Sequence, residues 1–294
     1  MSLENTCCAG LVLEDGLCEY ILLESGLNGW QIRETIVEPV NTAGECAYEH
    51  LFKVIGDCGA KKNVPITCAL SFNDSLVRVI ALPAFSLQEA KSVLRYQLED
   101  HFPFSSNESC FDVGEIFIET ETSVRERRFV VAASRLSVIE RIKTAAVSQG
   151  FRLAAIEPAQ IAFERIATSA VGDAANFIAI YAGSNDLLFI ISNGENGLFY
   201  RNCVIRGGEH EYVERVSAEV KISHELALER SFGFEAERVL LAGSRASNEL
   251  CAAVADSLSI TNTVRCYGGV GIFSKSGAVD EGLLLPLGAA MGQI

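Results

Sequence analysis

The 294-residue chain carries 38 acidic against 24 basic residues, a formal net charge of −14, and is 49% hydrophobic. That charge makes a long contact with a nucleic-acid backbone unfavourable, while the length and apolar content suffice for the cores of two domains. Ten cysteines run from Cys7 to Cys266 with no Cys-x-x-Cys pair, so they read as reduced thiols and not as a metal cluster or a disulfide framework.

No positive stretch followed by an apolar core opens the chain, and no apolar run, Leu283–Met291 included, approaches the ~20 residues of a spanning helix. No secretory leader and no membrane span are therefore expected. Ala9–Leu13 and Leu17–Glu24 read as strands joined at Glu14-Asp15-Gly16, an Asp-Gly hairpin signal. A helix over Glu45–Ile55 is expected to stop at Gly56, and Val64–Phe72 reads as the next strand.

From Leu76 a β-type run meets Pro83, and Ser86 with Glu89 forms a capping box ahead of the apolar stripe Leu87, Ala90, Leu94 and Leu98. The helix ends at Phe102-Pro103-Phe104, because the residue before proline is pushed out of helical geometry. Phe111–Thr120 and Arg127–Ala133 read as strands, and Ser134–Gln149 as a helix closed by Gly150. The second half opens as the first does. Phe177–Tyr181, the turn Gly183–Asp186, Leu187–Ser192 and Leu198–Ile205 form a meander. A helix from Glu209 to Arg230 follows, with Val213, Val216, Val220 and Ala227 on one face and Glu211 four residues before Arg215. A strand over Val239–Ala242, a helix over Ala246–Leu258 and a last helix opening at Pro286 complete the chain.

The segment Leu76–Gly114 resembles the corresponding part of the PilM family of type IV pilus assembly proteins. More distantly it resembles the cytoplasmic part of the GspL proteins of type II secretion; both families belong to the actin-like superfamily. Gly150–Pro158 with its following helix is similar to the family's return from an inserted subdomain, and Tyr200-Arg201 and Gly207-Gly208 to the end of its second meander. The resemblance implies an α/β, actin-like (duplicated ribonuclease-H-like) fold with a β-α-β-β-α insert in the first half. Residues 1–75 would form the first subdomain, completed by 151–172 and a C-terminal helix at 283–294. Residues 76–150 would be the insert, 173–208 with 237–282 the second subdomain, and 209–236 a small helical subdomain.

Members of the superfamily hold ATP and Mg²⁺ between two hairpin loops, where backbone amides bind phosphate and aspartates organise the metal. The first loop is close to Gly-Ile-Asp-Ile-Gly. Here Gly10 matches, but Val12 stands in place of the aspartate and Glu14 in place of the second glycine. Asp15-Gly16 admits two readings, a shifted loop or a tight two-residue hairpin. In the second loop Tyr181-Ala182-Gly183 replaces Asp-x-Gly, with Asp186 several positions later, and Leu241-Ala242-Gly243-Ser244 keeps one glycine of a Gly-Gly pair. Residual nucleotide contacts would fall to Gly10, Asp15, Gly16, Gly183, Ser184 and Gly243. Loss of both aspartates removes the metal-organising charge, so efficient hydrolysis is not expected and ATP with Mg²⁺ remains an open, weakened cofactor.

Other motifs carry less. Gly56–Lys61 lacks the Lys-Ser/Thr ending of a phosphate loop, and Gly268-Gly269-Val270-Gly271 has no following helix, so neither supports a dinucleotide site. His50, His101, His210 and His224 are spread without metal-ligand spacing, and no Gly-x-Ser-x-Gly elbow occurs. No catalytic or metal-binding residue is assigned.

By the resemblance, the chain is expected to be a cytoplasmic scaffold of a pilus or secretion assembly platform at the inner membrane. Its implied partners are the N-terminal peptide of a PilN-like inner-membrane protein and other platform proteins. The peptide would lie extended in a groove between the first subdomain and its insert, with Tyr96, Phe102 and Phe104 as candidate contacts. For each of these aromatics the reading as helix-exit core stands beside the functional one. Two further classes stay open: an ATP-binding switch with Mg²⁺-dependent affinity, and a sugar kinase or phosphatase of the same superfamily, which would need a carboxylate base in the interdomain cleft.

Overall fold

The computed structural model describes residues 6–26, 29–40, 47–116, 126–172, 176–206, 208, 211–230, 234–259, 264–266 and 283–294. Gly207, His210, the glycine run 268–271, the helix starts expected at Glu45 and Glu209, and the strand end expected at Thr120 lie outside the described residues.

In the first half, β1 (Cys7–Glu14), β2 (Leu17–Gly26) and β3 (Gly29–Pro39) form an antiparallel meander, followed by α1 (Ala47–Asp57) and β4 (Pro65–Leu70). The insert contributes β5 (Ser75–Pro83), α2 (Leu87–His101), β6 (Ser109–Ile116), β7 (Glu126–Arg135) and α3 (Leu136–Ser148). The chain returns through β8 (Arg152–Pro158) and α4 (Ala159–Val171). The second half holds the meander β9 (Phe177–Ala182), β10 (Asp186–Ser192) and β11 (Gly197–Val204), then α5 (Tyr212–Arg230). It is completed by β12 (Arg238–Ala242), α6 (Asn248–Leu258) and β13 (Val264–Cys266), and α7 (Leu284–Met291) ends the chain.

The two large sheets share one plan. Their orders are β3-β2-β1-β4-β8 and β11-β10-β9-β12-β13, each an antiparallel meander extended by two parallel strands. That repeat is the duplication expected from the sequence. A single apolar core joins the halves, with Val12 and Ile21 of the first sheet and Ala179 and Leu188 of the second sharing Phe163 of α4 and Leu287 of α7.

Local signals account for most elements. Ser86 accepts from the Glu89 amide, while the Ser86 amide donates to Glu89 Oε2 at 2.8 Å, completing the capping box of α2. Ala90, Leu94 and Leu98 are fully buried in the insert's core, but Leu87, expected on the same stripe, is 37% exposed at the helix start. Helix α1 runs through Gly56, and the chain reverses at Gly59 with φ +90°, so the stop is later than expected. Pro286 sits in the first turn of α7 but is its third residue. Helix α3 sends Ile139, Ile142 and Ala146 into the core that also holds α1 residues Leu51 and Phe52.

Strand β3 had no counterpart in the sequence reading. It carries Arg33, Glu34 and Glu38 and only Ile36 is buried, as suits the edge of a sheet. Among the described residues no helix is long and apolar enough to cross a membrane. Seven cysteines, from Cys7 to Cys203, are free thiols, but Cys251 is disulfide-bonded, which corrects the expectation of reduced thiols throughout.

Candidate functional site

The cleft between the halves is bounded by the β1–β2 and β9–β10 turns. Asp15 and Gly16 have φ of 48° and 77°, and Glu14 pairs with Leu17, so the first turn is a tight two-residue hairpin. Of the two readings of Asp15-Gly16, the hairpin is the one observed. Glycine at 16 meets the left-handed requirement that this turn imposes.

The two turns are hydrogen-bonded to each other. Tyr181 donates its hydroxyl to both carboxylate oxygens of Glu14 at 2.6 Å, and its ring packs between Phe72 and Phe163. Burial pushes the Glu14 carboxyl up to about 8; the Tyr181 hydrogen bond pulls it down, and the charges of Asp15 and Asp186 add to the rise. The Ser184 amide donates to Asp15 Oδ2 at 3.3 Å, and the Gly183 amide donates to the Asp186 carbonyl at 2.8 Å. Asn73 reaches the Asp186 carboxylate at 3.5 Å, and Asn202 donates to the Phe72 carbonyl at 2.9 Å. Burial, and then the Asp15 charge, raise the Asp186 carboxyl above its ordinary value, and the Asn73 hydrogen bond lowers it.

The residues expected to contact nucleotide are thus brought near one another but otherwise engaged. Asp15 and Ser184 bond each other, and Gly183 closes its own turn. Gly10 lies beneath α7, where an added Cβ would stand 1.8 Å from the Pro286 carbonyl oxygen. Gly243, with φ +110°, backs onto the second turn, where a Cβ would stand 2.5 Å from the Ala182 carbonyl oxygen. Both glycines serve close backbone packing.

These residues do not fit ATP with Mg²⁺. The cavity between the turns is about 250 Å³, below the ~300–1,000 Å³ usual for ligand pockets. Asp15, which lines it, would repel a triphosphate, while the Ser184 and Gly183 amides already have acceptors. Among the described residues no group of three His, Cys, Asp or Glu side chains is placed to hold a metal ion.

The insert bounds two larger openings. One, of about 350 Å³, lies between the outer face of its sheet, with Gly114, Val130 and Ala132, and the first half, with Ile156, Pro158 and Ile161. Its floor is tied by Gln160, which accepts from Ser75 Oγ at 3.1 Å and donates to the Ser75 carbonyl at 3.0 Å. The other opening, of about 770 Å³, is lined by β5 and by β11 of the second half, which touch along part of their length.

Phe102 and Phe104 are 3% and 9% exposed in the insert's core, beneath Arg78 and Arg135. Both rings pack at the helix exit, the second of their two readings. Tyr96 is 85% exposed on α2, beside Lys91, Arg95 and Asp112. The sequence reading missed Val130, Ala132 and Ile161. The run Phe129–Ala133 is apolar at every position, the mark of a strand covered on both faces, and this was the signal available.

No protein-family model matches the chain, and no curated protein is a significant match. Solved structures do match. A PilM-PilN type IV pilus biogenesis complex aligns at TM-score 0.77 with 16% identity, over 97% of this chain and 98% of that one. The cytoplasmic domain of EpsL, an inner-membrane component of the type II secretion system of Vibrio cholerae, aligns at 0.57 with 10% identity, over 98% and 95%. A Bacteroides thetaiotaomicron protein of unknown function with an actin-like ATPase fold aligns at 0.52 with 10% identity, over 88% and 90%. The chain has the actin-like fold.

Proposed function

We propose that this actin-like chain is a cytoplasmic docking scaffold of a type IV pilus or type II secretion assembly platform at the inner membrane. It takes the N-terminal peptide of a PilN-like protein and joins other platform proteins without nucleotide turnover. The observation that carries this reading is the apolar groove between the insert sheet and α4, in a chain whose fold matches PilM of a PilM-PilN complex over nearly its whole length.

The groove suits an extended apolar segment. Val130 and Ala132 point away from the insert's core and, with Ile161, pack at the margin of the core between the halves, leaving an open apolar trough. Tyr96, exposed on the far side of α2, is a candidate contact for a second platform protein. The clasp between Glu14 and Tyr181 and between Asp15 and Ser184 supports a scaffold over an ATP-binding switch, because side chains of the protein hold the two turns together. A sugar kinase or phosphatase would need an ionised carboxylate base in the cleft, and burial favours the protonated form of Glu14.

A photo-crosslinking amino acid placed at Ile161 tests the docking site. With the N-terminal peptide of the PilN-like protein from the same organism, crosslinked product is expected from position 161 and not from position 96. Product from 96 alone would overturn the assignment of the groove.

A further inference from the structure

Helices α1 and α3 pack side by side in one core and end in the same turn. After α1 the Gly59 amide donates to the Gly56 carbonyl at 3.1 Å and the Ala60 amide to the Ile55 carbonyl at 2.9 Å. After α3 the Gly150 amide donates to the Val147 carbonyl at 3.0 Å and the Phe151 amide to the Ala146 carbonyl at 2.9 Å. Both glycines are left-handed, with φ of 90° and 72°, and Ala60 and Phe151 are buried. The next residue leaves each turn at a matching position; it is Lys61 in one and Arg152 in the other, both exposed. The two turns adjoin. Arg152 donates its amide to the Lys62 carbonyl at 3.2 Å, and the Lys62 ammonium lies 5.6 Å from the Phe151 ring centroid.

The surface so formed reverses the charge of the molecule. In a chain of net charge −14, residues 58–73 and 141–156 contain no Asp or Glu, and Asp57 and Glu140 stand at their borders. Among the described residues no ion pair engages Lys61, Lys62, Lys143 or Arg152. Val147, one turn beyond Lys143 on α3, is 77% exposed.

We propose that this end of the first half rests on an anionic lipid surface, with Lys61, Lys62, Lys143 and Arg152 at the phosphate headgroups and Val147 entering the headgroup layer. Each cation close to an anionic leaflet strengthens binding about fivefold. The acidic remainder of the chain is screened beyond about 8 Å at physiological salt, so its repulsion does not cancel the local attraction. A protein partner fits less well, because lysine is depleted at protein interfaces and, among the described residues, no exposed aromatic anchor stands in the patch. Strand β8 runs from Arg152 in this patch to Pro158 at the apolar groove, about 20 Å away, so lipid contact leaves that groove open. The patch is independent of what docks there.

The test sediments the whole chain with vesicles of phosphatidylethanolamine and phosphatidylglycerol, and with vesicles of phosphatidylcholine alone. Binding is expected to the first only, and is expected to weaken with added salt. Lys61→Gln/Arg152→Gln should weaken it about tenfold or more. Arg206→Gln/Lys221→Gln, exposed on the second half, should leave it unchanged. In a Trp30→Phe background, Val147→Trp should give blue-shifted emission when the anionic vesicles are added, a readout that does not depend on the charge variants. No binding, equal binding to phosphatidylcholine, equal affinity in Lys61→Gln/Arg152→Gln, or unshifted emission from position 147 would each overturn the proposal. Capture of soluble polyglutamate in place of the anionic vesicles would overturn it in favour of an acidic protein partner.

Discussion

Tyr181 and Glu14, 167 residues apart in sequence, join the two hairpin turns across the cleft through a hydroxyl that donates to both carboxylate oxygens at 2.6 Å. In an actin-like fold these turns are the place of the phosphates, and here one turn serves as the other's ligand.

Stability should fall as pH rises through the range set by Glu14. The carboxyl titrates at about 8 when folded against an ordinary 4.5, so the folded state holds a proton that the unfolded chain releases between those values. The contribution is complete below pH 4.5, declines above it and is lost past 8, with a limiting slope of about 1.4 kcal/mol per pH unit. Urea unfolding at stepped pH should show this decline, and Glu14→Gln should flatten it. An identical pH profile in the variant would show that Glu14 is not its source.

Removing the hydroxyl leaves a half-buried carboxyl without its donor. Tyr181→Phe is expected to cost about 1–3 kcal/mol in chemical denaturation. Because that hydrogen bond lowers the Glu14 pKa, the variant's pH decline should also extend to higher pH. A loss of stability with no movement of the pH profile would assign the effect to packing alone.

Saturating ATP with Mg²⁺ should leave the melting temperature unchanged. A ligand present at a hundred times its dissociation constant adds about 2.7 kcal/mol of stability, which a thermal scan would detect. A Mg²⁺-dependent rise would mean that the clasp opens to nucleotide.

The contact between β1 and α7 should be intolerant of a methyl group. An added Cβ at Gly10 would stand 1.8 Å from the Pro286 carbonyl oxygen and 2.7 Å from the Ala290 amide, both backbone atoms. Gly10→Ala should lose about 3 kcal/mol or more, or fail to accumulate as folded protein. Gly208→Ala, whose Cβ would meet nothing within 4 Å, is the matched control and should be neutral. Equal stability of the two variants would contradict the packing described.

What was legible in the sequence was local. Ser86 with Glu89 and the pair Asp15-Gly16 each specify geometry within a few residues, and both formed as read. The repeated meander was visible because apolar runs and turn residues recur in both halves. β3 was not, since an edge strand with one buried residue lacks the apolar alternation that marks a strand. Phe102 and Phe104 could be read either way, because an aromatic at a helix exit looks the same in sequence whether it packs inward or outward. The Tyr181–Glu14 bond and the burial of Gly10 under α7 depend on residues far apart in the chain, and no local pattern encodes them.

The central claim is that a partner peptide docks in the insert groove while the nucleotide turns stay clasped. Calorimetric titration of the PilN-like N-terminal peptide into the chain, with and without ATP and Mg²⁺, tests it most directly. The account predicts about micromolar binding, unchanged by nucleotide and abolished by Ala132→Arg, whose side chain would fill the groove. Binding that requires ATP and Mg²⁺, or that survives Ala132→Arg undiminished, would contradict it.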